Sequence, residues 1–213
     1  MSEYHKINTV FKRDLATKHK TLLDGQFSEP EFEYLANNVW TFTEKVDGTN
    51  IRVNFKGGEI TFDGRTDAAQ IPSQLVAALN ARFLPIEART RMREVFDCDV
   101  ILYCEGYGAK IQKGGGNYRP DQDFVLFDVR IGDWWLQRAD VEDVGQKLGI
   151  PIVPIIGEGT LHEMVAMAKA GITSTWGNFQ AEGIVARPKT ELITRNGHRI
   201  ITKIKCRDFI HQP

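Results

Sequence analysis

A chain of 213 residues, 42% apolar and 26% charged, is expected to form one globular domain with a substantial core. Its three cysteines, Cys98, Cys104 and Cys206, lack metal-ligand spacing and argue against both a disulfide framework and a zinc site; with no secretory leader and no long apolar run, a cytoplasmic protein that does not enter a membrane is expected. A net charge of −1 excludes a protein that coats nucleic acid through a broad basic surface, so any such contact has to be a local patch.

From the N-terminus, Lys12, Arg13, Lys18, His19 and Lys20 make a basic stretch, read first as a solvated face and alternatively as a contact for phosphates. The stretch around which the chain is organised follows: Thr43-Glu44-Lys45-Val46-Asp47-Gly48-Thr49-Asn50-Ile51-Arg52. It sets a potential amine nucleophile at a backbone turn. Beyond Gly48, Ile51, Val53 and Phe55 alternate with Asn50, Arg52 and Asn54, the period of a half-buried strand. Gly57-Gly58 signals a hairpin whose return strand carries Ile60 and Phe62 and releases Arg65 near the start of the first strand. Taken alone, Lys45-Val46-Asp47-Gly48 also reads as an ordinary surface turn.

Leu75, Val76, Leu79 and Phe83 predict a helix after Pro72-Ser73, and Arg89, Arg91 and Arg93 lie on a second helix ending near Phe96. The apolar run Val100-Ile101-Leu102-Tyr103 predicts a buried strand delivering Glu105-Gly106-Tyr107-Gly108 at its end. Glu105 there is a sugar or metal contact, or else a surface carboxylate in a turn. Lys110, Lys113 and Gly114-Gly115-Gly116 form a basic loop without the spacing of a P-loop. Phe124 to Val129 is a strand with Trp134-Trp135 as its hairpin partner, and Phe127 on it reads as core or as a stacking ring.

A short helix is expected over Asp140 to Leu148, and Thr160-Leu-His-Glu163 is a capping box opening a helix that closes at Gly171. Ala181-Glu182-Gly183 leads into another apolar strand. In Ile201-Thr202-Lys203-Ile204-Lys205-Cys206 the strict alternation sets both lysines on one face, where their repulsion calls for an anion between them.

Lys45-Val46-Asp47-Gly48, Glu105-Gly106-Tyr107-Gly108, Phe127-Asp128, Glu182-Gly183 and Lys203-Ile204-Lys205, in this order, resemble the five motifs of the covalent nucleotidyltransferases. Thr49-Asn50, the Glu-Gly-x-Gly run and the Lys-x-Lys-Cys end look most like the phage-type, nick-sealing class of ATP-dependent RNA ligases. The resemblance implies an α+β fold of two antiparallel sheets with flanking helices around a nucleotide-binding cleft. It covers the chain from Thr43 to Lys205, and a single nucleotidyltransferase domain over residues 1–213, with no C-terminal OB-fold or accessory domain, is expected.

The same resemblance implies a site. Lys45 would carry AMP from ATP, with Asp47, Glu182, Lys203 and Lys205 in the catalytic set. Glu44, Val46, Gly48, Asn50, Arg65, Glu105 and Phe127 would join them in holding the nucleotide, and Glu182 and Glu105 would hold Mg²⁺ or Mn²⁺. A lysine titrates near 10.4, so a free amine at neutral pH costs roughly 4–5 kcal/mol, which neighbouring cations and metal would reduce. The implied reaction joins 5′-phosphate and 3′-hydroxyl ends, of RNA more readily than DNA, through a lysine-AMP intermediate. The alternatives are an enzyme of this fold that adenylates an end or another acceptor without sealing, or a DNA ligase. Nothing in the sequence speaks to oligomeric state.

Overall fold

The computed structural model describes residues 3–209. They form two compact units, one of residues 3–4 with Asp47–Val153 and one of His5–Val46 with residues 154–209. Both are mixed α+β.

The chain begins in the second of these with β1 (Asn8–Thr9), β2 (Phe11–Arg13), β3 (Leu22–Phe27), the short helix α1 (Pro30–Tyr34) and β4 (Trp40–Lys45). Along β4 Trp40, Phe42 and Glu44 are buried while Thr41, Thr43 and Lys45 are half-buried. Lys45 therefore ends a strand and does not sit in a turn. The period of two that the sequence shows after Gly48 also runs through the residues before it, and it gives Lys45 the face opposite Trp40 and Phe42.

The chain then builds the other unit from β5 (Thr49–Lys56), β6 (Glu59–Asp63), α2 (Ser73–Phe83), α3 (Ile86–Val95), β7 (Val100–Gly108), β8 (Gln122–Ile131), β9 (Trp134–Trp135) and α4 (Arg138–Leu148). Its strands pair antiparallel in the order β6-β5-β7-β8-β9. Ile51, Val53, Leu102, Cys104, Phe124 and Leu126 turn one face of that sheet to Leu75, Leu79 and Phe83 of α2 and to Val141, Val144 and Leu148 of α4. Each such side chain, taken fully out of water, contributes roughly 1.5–3 kcal/mol before entropy is charged against it. The strand expected to end at Glu105 continues to Gly108, because Gly106, Tyr107 and Gly108 go on pairing with β8.

Returning to the unit of His5–Val46, the chain forms β10 (Ile155–Gly159), α5 (Leu161–Ala170), β11 (Gly183–Pro188) and β12 (Thr202–Lys205). The sheet order is β1-β12-β11-β4-β10, with β2 and β3 as a separate pair. The capping box forms: Thr160 Oγ1 accepts from the Glu163 N–H at 3.2 Å, and the Glu163 carboxylate accepts from the Thr160 N–H at 2.7 Å. Leu161, Met164 and Ala168 of α5 pack with Trp40, Phe42, Ile184, Ala186 and Ile204 from the sheet. The expected antiparallel pairing fails at one edge, where β1 runs parallel to β12. These strands are nearly the whole chain apart in sequence, so no tight hairpin imposes an antiparallel direction on them.

Candidate active site

Three adjacent strands set the spacing of the charged groups. Gly183 on β11 is in register with Lys45 on β4 and with Lys205 on β12, so the two lysines flank a residue with no side chain. A Cβ at Gly183 would lie 2.0 Å from the Ile204 carbonyl oxygen and 2.8 Å from the Lys205 Cα, and only glycine allows that approach. Glu182, the residue before, reaches into this gap. Its Oε2 accepts from Lys45 Nζ at 2.5 Å and its Oε1 lies 2.6 Å from Lys205 Nζ.

Two ammonium groups thus share one carboxylate that is itself only 7% exposed. Burial works against the charged form of Glu182. The Lys45 charge and the hydrogen bonds from Lys205 and Lys45 outweigh it and hold the carboxyl below its ordinary range. Lys203 lies one row along β12, opposite Val185 and Thr9. As the alternation predicts, both lysines of β12 stand off the core side that Ile204 occupies.

Glu44 follows a different course. As the neighbour of Lys45 on β4 it points to the opposite face, where it is 1% exposed. It accepts hydrogen bonds from Ser174 Oγ at 2.6 Å, Thr175 N at 2.8 Å and Thr175 Oγ1 at 2.7 Å. Its side chain therefore fastens the segment that runs through residues 174–181 into Glu182. Nothing local points to Ser174 or Thr175, which lie 130 and 131 residues away from Glu44.

In the other unit the start of β5 presses against β7. Thr49 pairs with Gly106 and Asn50 with Glu105, and a Cβ on Gly48 would come 2.1 Å from the Gly106 carbonyl oxygen and 2.9 Å from Glu105 Cγ. Gly48 therefore permits the close approach that sets Asn50 beside Glu105. The Gly48 carbonyl accepts from Gln112 Nε2 at 3.0 Å, and the Asp47 N–H donates to Tyr118 Oη at 3.1 Å. The Asn50 Oδ1 is buried without a hydrogen-bond partner, an acceptor that a ligand donor would satisfy.

Arg65 is exposed, and the residue beneath its loop is one that the sequence reading passed over. Arg52 is fully buried, donates from Nε to the Gly64 carbonyl at 3.0 Å and pairs through Nη2 with Asp67 at 2.7 Å. A charged residue in the polar half of an alternating strand was its only advance signal. Phe127 is the extra residue of a β-bulge, since Tyr103 faces Asp128 while Cys104 faces Leu126. Bulges re-aim side chains. The Phe127 ring meets Tyr4 edge-on at 5.0 Å and lies 6.5 Å from the Tyr103 ring, and Tyr4 Oη donates to the buried Asp128 at 2.7 Å. Asp128 stood in the sequence reading beside Phe127 in the motif order, whereas its partner Tyr4 was missed.

Among the described residues no group of three or more His, Cys, Asp or Glu side chains is arranged to hold a metal, and no helix is long and apolar enough to cross a membrane.

A family model for RNA ligase matches residues 38–205, and the chain belongs to that family. No curated protein matches it in sequence. Solved structures of similar fold include a mutant of Naegleria gruberi RNA ligase with ATP and Mn, at a TM-score of 0.70 and 20% identity, covering 96% of this chain and 56% of that one. A second mutant of the same ligase with ATP and Mn gives 0.65 at 22% identity over 83% of this chain and 51% of that one. The ligase with PPi gives 0.64 at 22%, over 83% and 52%. The chain thus spans little more than half the length of the structures it matches.

Proposed function

We propose that this chain carries the nucleotidyl-transfer chemistry of an ATP-dependent RNA ligase, with Lys45 as the nucleophile. The observation that carries the reading is the bridge of Lys45 and Lys205 by Glu182 on a frame of three paired strands. In the first step Lys45 Nζ attacks the α-phosphorus of ATP. The ammonium first gives a proton to solvent; the N–P bond then forms, the bond from phosphorus to the bridging oxygen breaks, pyrophosphate leaves and the nitrogen releases its second proton to solvent. Lys203 and Lys205 match the charge that builds on the phosphoryl oxygens. Glu182 orients the attacking amine until the phosphates compete for its lysine partners.

Mg²⁺ or Mn²⁺ fits as the partner of Glu182. A hard cation of this kind takes one or two carboxylates and completes its shell with phosphates and water, so a triad of acids is not required. When bound it would supply Lewis-acid stabilisation of the α-phosphate. Within the unit of Asp47–Val153, Glu105 and Asn50 offer hydrogen-bonding groups of the kind a ribose takes and Phe127 an aromatic face of the kind a purine takes. AMP would then pass to a 5′-phosphate, and a 3′-hydroxyl would displace it to seal the strand. That two solved structures of similar fold were obtained with ATP and Mn supports the choice of nucleotide and metal.

Incubation with α-labelled ATP and Mg²⁺ or Mn²⁺, followed by a denaturing gel, tests the first step: label should stay on the wild-type chain and be absent from Lys45→Ala. Adding RNA with 5′-phosphate and 3′-hydroxyl ends tests the rest. Joined product with released AMP is expected, whereas adenylated 5′-ends that accumulate unsealed would identify an end-adenylating enzyme.

A further inference from the structure

The basic N-terminal stretch, read from sequence first as a solvated face, is not dispersed. Within the unit of His5–Val46 and residues 154–209, four of its five residues, Lys12, Arg13, His19 and Lys20, line a groove of about 770 Å³. Lys6 and Lys12 contribute from the N-terminal segment, His19 and Lys20 from the turn between β2 and β3, Lys203 and Lys205 from β12 and Arg207 from the turn just after it. Seven lysines and arginines line it against two carboxylates, in a chain whose net charge is −1. Both carboxylates are already engaged. Asp208 pairs with Arg13 at 2.7 Å, and Glu29 accepts from Asn8 Nδ2 at 2.6 Å.

The turn that supplies His19 and Lys20 carries a second sign. Lys18 and His19 both hold left-handed backbone angles, φ 54° and 61°. Glycine or asparagine would adopt that conformation at less cost, yet the positions keep a lysine and a histidine. Arg13 Nη1 braces the turn through the His19 and Lys20 carbonyls, at 3.3 and 3.4 Å. The groove also leads to the chemistry, because Lys205 on its wall shares Glu182 with Lys45.

We propose that this groove holds the sugar-phosphate backbone of the RNA strand whose end is presented to Lys45. The proposal rests on the ligase reading above and names the surface that engages its substrate. A backbone is favoured over a free anion because the cations come from three separate segments of chain, which suits a row of phosphates better than a single one. Phosphate neutralisation by lysine and arginine also supplies affinity without regard to base sequence.

The test is fluorescence anisotropy with a dye-labelled 12-nucleotide RNA bearing a 5′-phosphate, across a sodium chloride series, in the absence of ATP and metal. Wild type is compared with the triple variant Lys12→Ala, His19→Ala, Lys20→Ala and with Lys56→Ala, an exposed lysine in the other unit. The triple variant should lose at least tenfold in affinity at about 0.1 M salt, and its plot of log K against log salt should be shallower by about 1–2 units, at roughly 0.7 unit per phosphate of a single strand. Lys56→Ala should bind as wild type does, and ATP labelling of the triple variant should keep its half-saturating ATP concentration. Unchanged affinity and slope in the triple variant would overturn the proposal. A half-saturating ATP concentration that rises while RNA binding holds would overturn it too, assigning the groove to the triphosphate. Should the wild-type chain take no label from ATP, the ligase reading fails, while the anisotropy series, which needs no ATP, still decides whether the groove binds RNA.

Discussion

Lys45 and Gly183 stand directly opposite each other on β4 and β11, and the absence of a side chain at Gly183 lets β12 bring Lys205 alongside. Gly183→Ala would set a Cβ 2.0 Å from the Ile204 carbonyl, which is part of the sheet and cannot rotate away. The strands must separate or shift. We expect a melting temperature several degrees lower and covalent AMP transfer at least tenfold slower, because Lys205 loses its position on Glu182. Circular dichroism and a labelling time course check both, and a stable, fully active variant would contradict the close approach.

Removing charge from Glu182 in the bridge, or from Lys203 beside it, should cost activity heavily. Glu182→Ala and Lys203→Ala are each expected to lower adenylation of Lys45 by several orders of magnitude, since charge at the α-phosphate is matched by metal and lysines together. The denaturant midpoint of Lys203→Ala should move little beside that loss, whereas Glu182→Ala, which leaves Lys45 and Lys205 without their shared carboxylate, should lower it as well. Single-turnover rates close to wild type in either variant would remove that residue from the catalytic set.

The depressed titration of Glu182 has a consequence for acid stability. A carboxyl whose folded pKa lies below its unfolded value, here 4.5, contributes stability that is present above that value and is lost as pH falls through the folded one. Urea unfolding of wild type should therefore weaken as pH drops below about 4.5, the ordinary carboxyl value. Glu182→Gln, which cannot titrate there, should show a smaller decline over the same interval. Parallel curves for the two proteins would mean that the ion pair with Lys45 and Lys205 does not persist in solution.

Glu44 offers a test of positioning. Glu44→Ala leaves Ser174 Oγ and both donors of Thr175 without their carboxylate, and a buried network broken on one side typically costs about 2–4 kcal/mol. The segment leading to Glu182 should loosen, visible as faster amide hydrogen exchange over residues 174–181. Rescue of exchange protection by Glu44→Gln, which retains an acceptor, would assign the effect to the hydrogen bonds, whereas a charge effect alone would leave that variant as loose as alanine.

The parts of this architecture that depend on local periodicity were readable in advance. Alternation gave the strand carrying Lys203 and Lys205, the apolar run after Gly183 gave the strand that Glu182 precedes, and Thr160 with Glu163 announced the start of α5, whereas the end of β4 at Lys45 read as a turn. What escaped depends on residues far apart in the chain. Glu44 could be singled out beside Lys45, but its partners Ser174 and Thr175 follow no spacing rule, and Tyr4 meets Asp128 across 124 positions. The bulge at Phe127 changes facing without any glycine or proline to mark it. Arg52 was visible as a polar residue on an alternating strand, yet only the loop folded over it reveals that its charge is fully buried.

The distance between the strands bearing Lys45 and Lys205 is set by backbone hydrogen bonding. Two ladder steps separate β4 from β12, each about 4.8 Å, so the backbones that carry the two amines lie roughly 10 Å apart whatever side chains pack beneath them. Trp40, Phe42, Ile184 and Ile204 on the far side can be exchanged for other apolar residues without altering that gauge. A slip by one residue, in contrast, would turn each amine to the opposite face at once. Drift in composition is therefore tolerated here, and an insertion or deletion within β4, β11 or β12 is not.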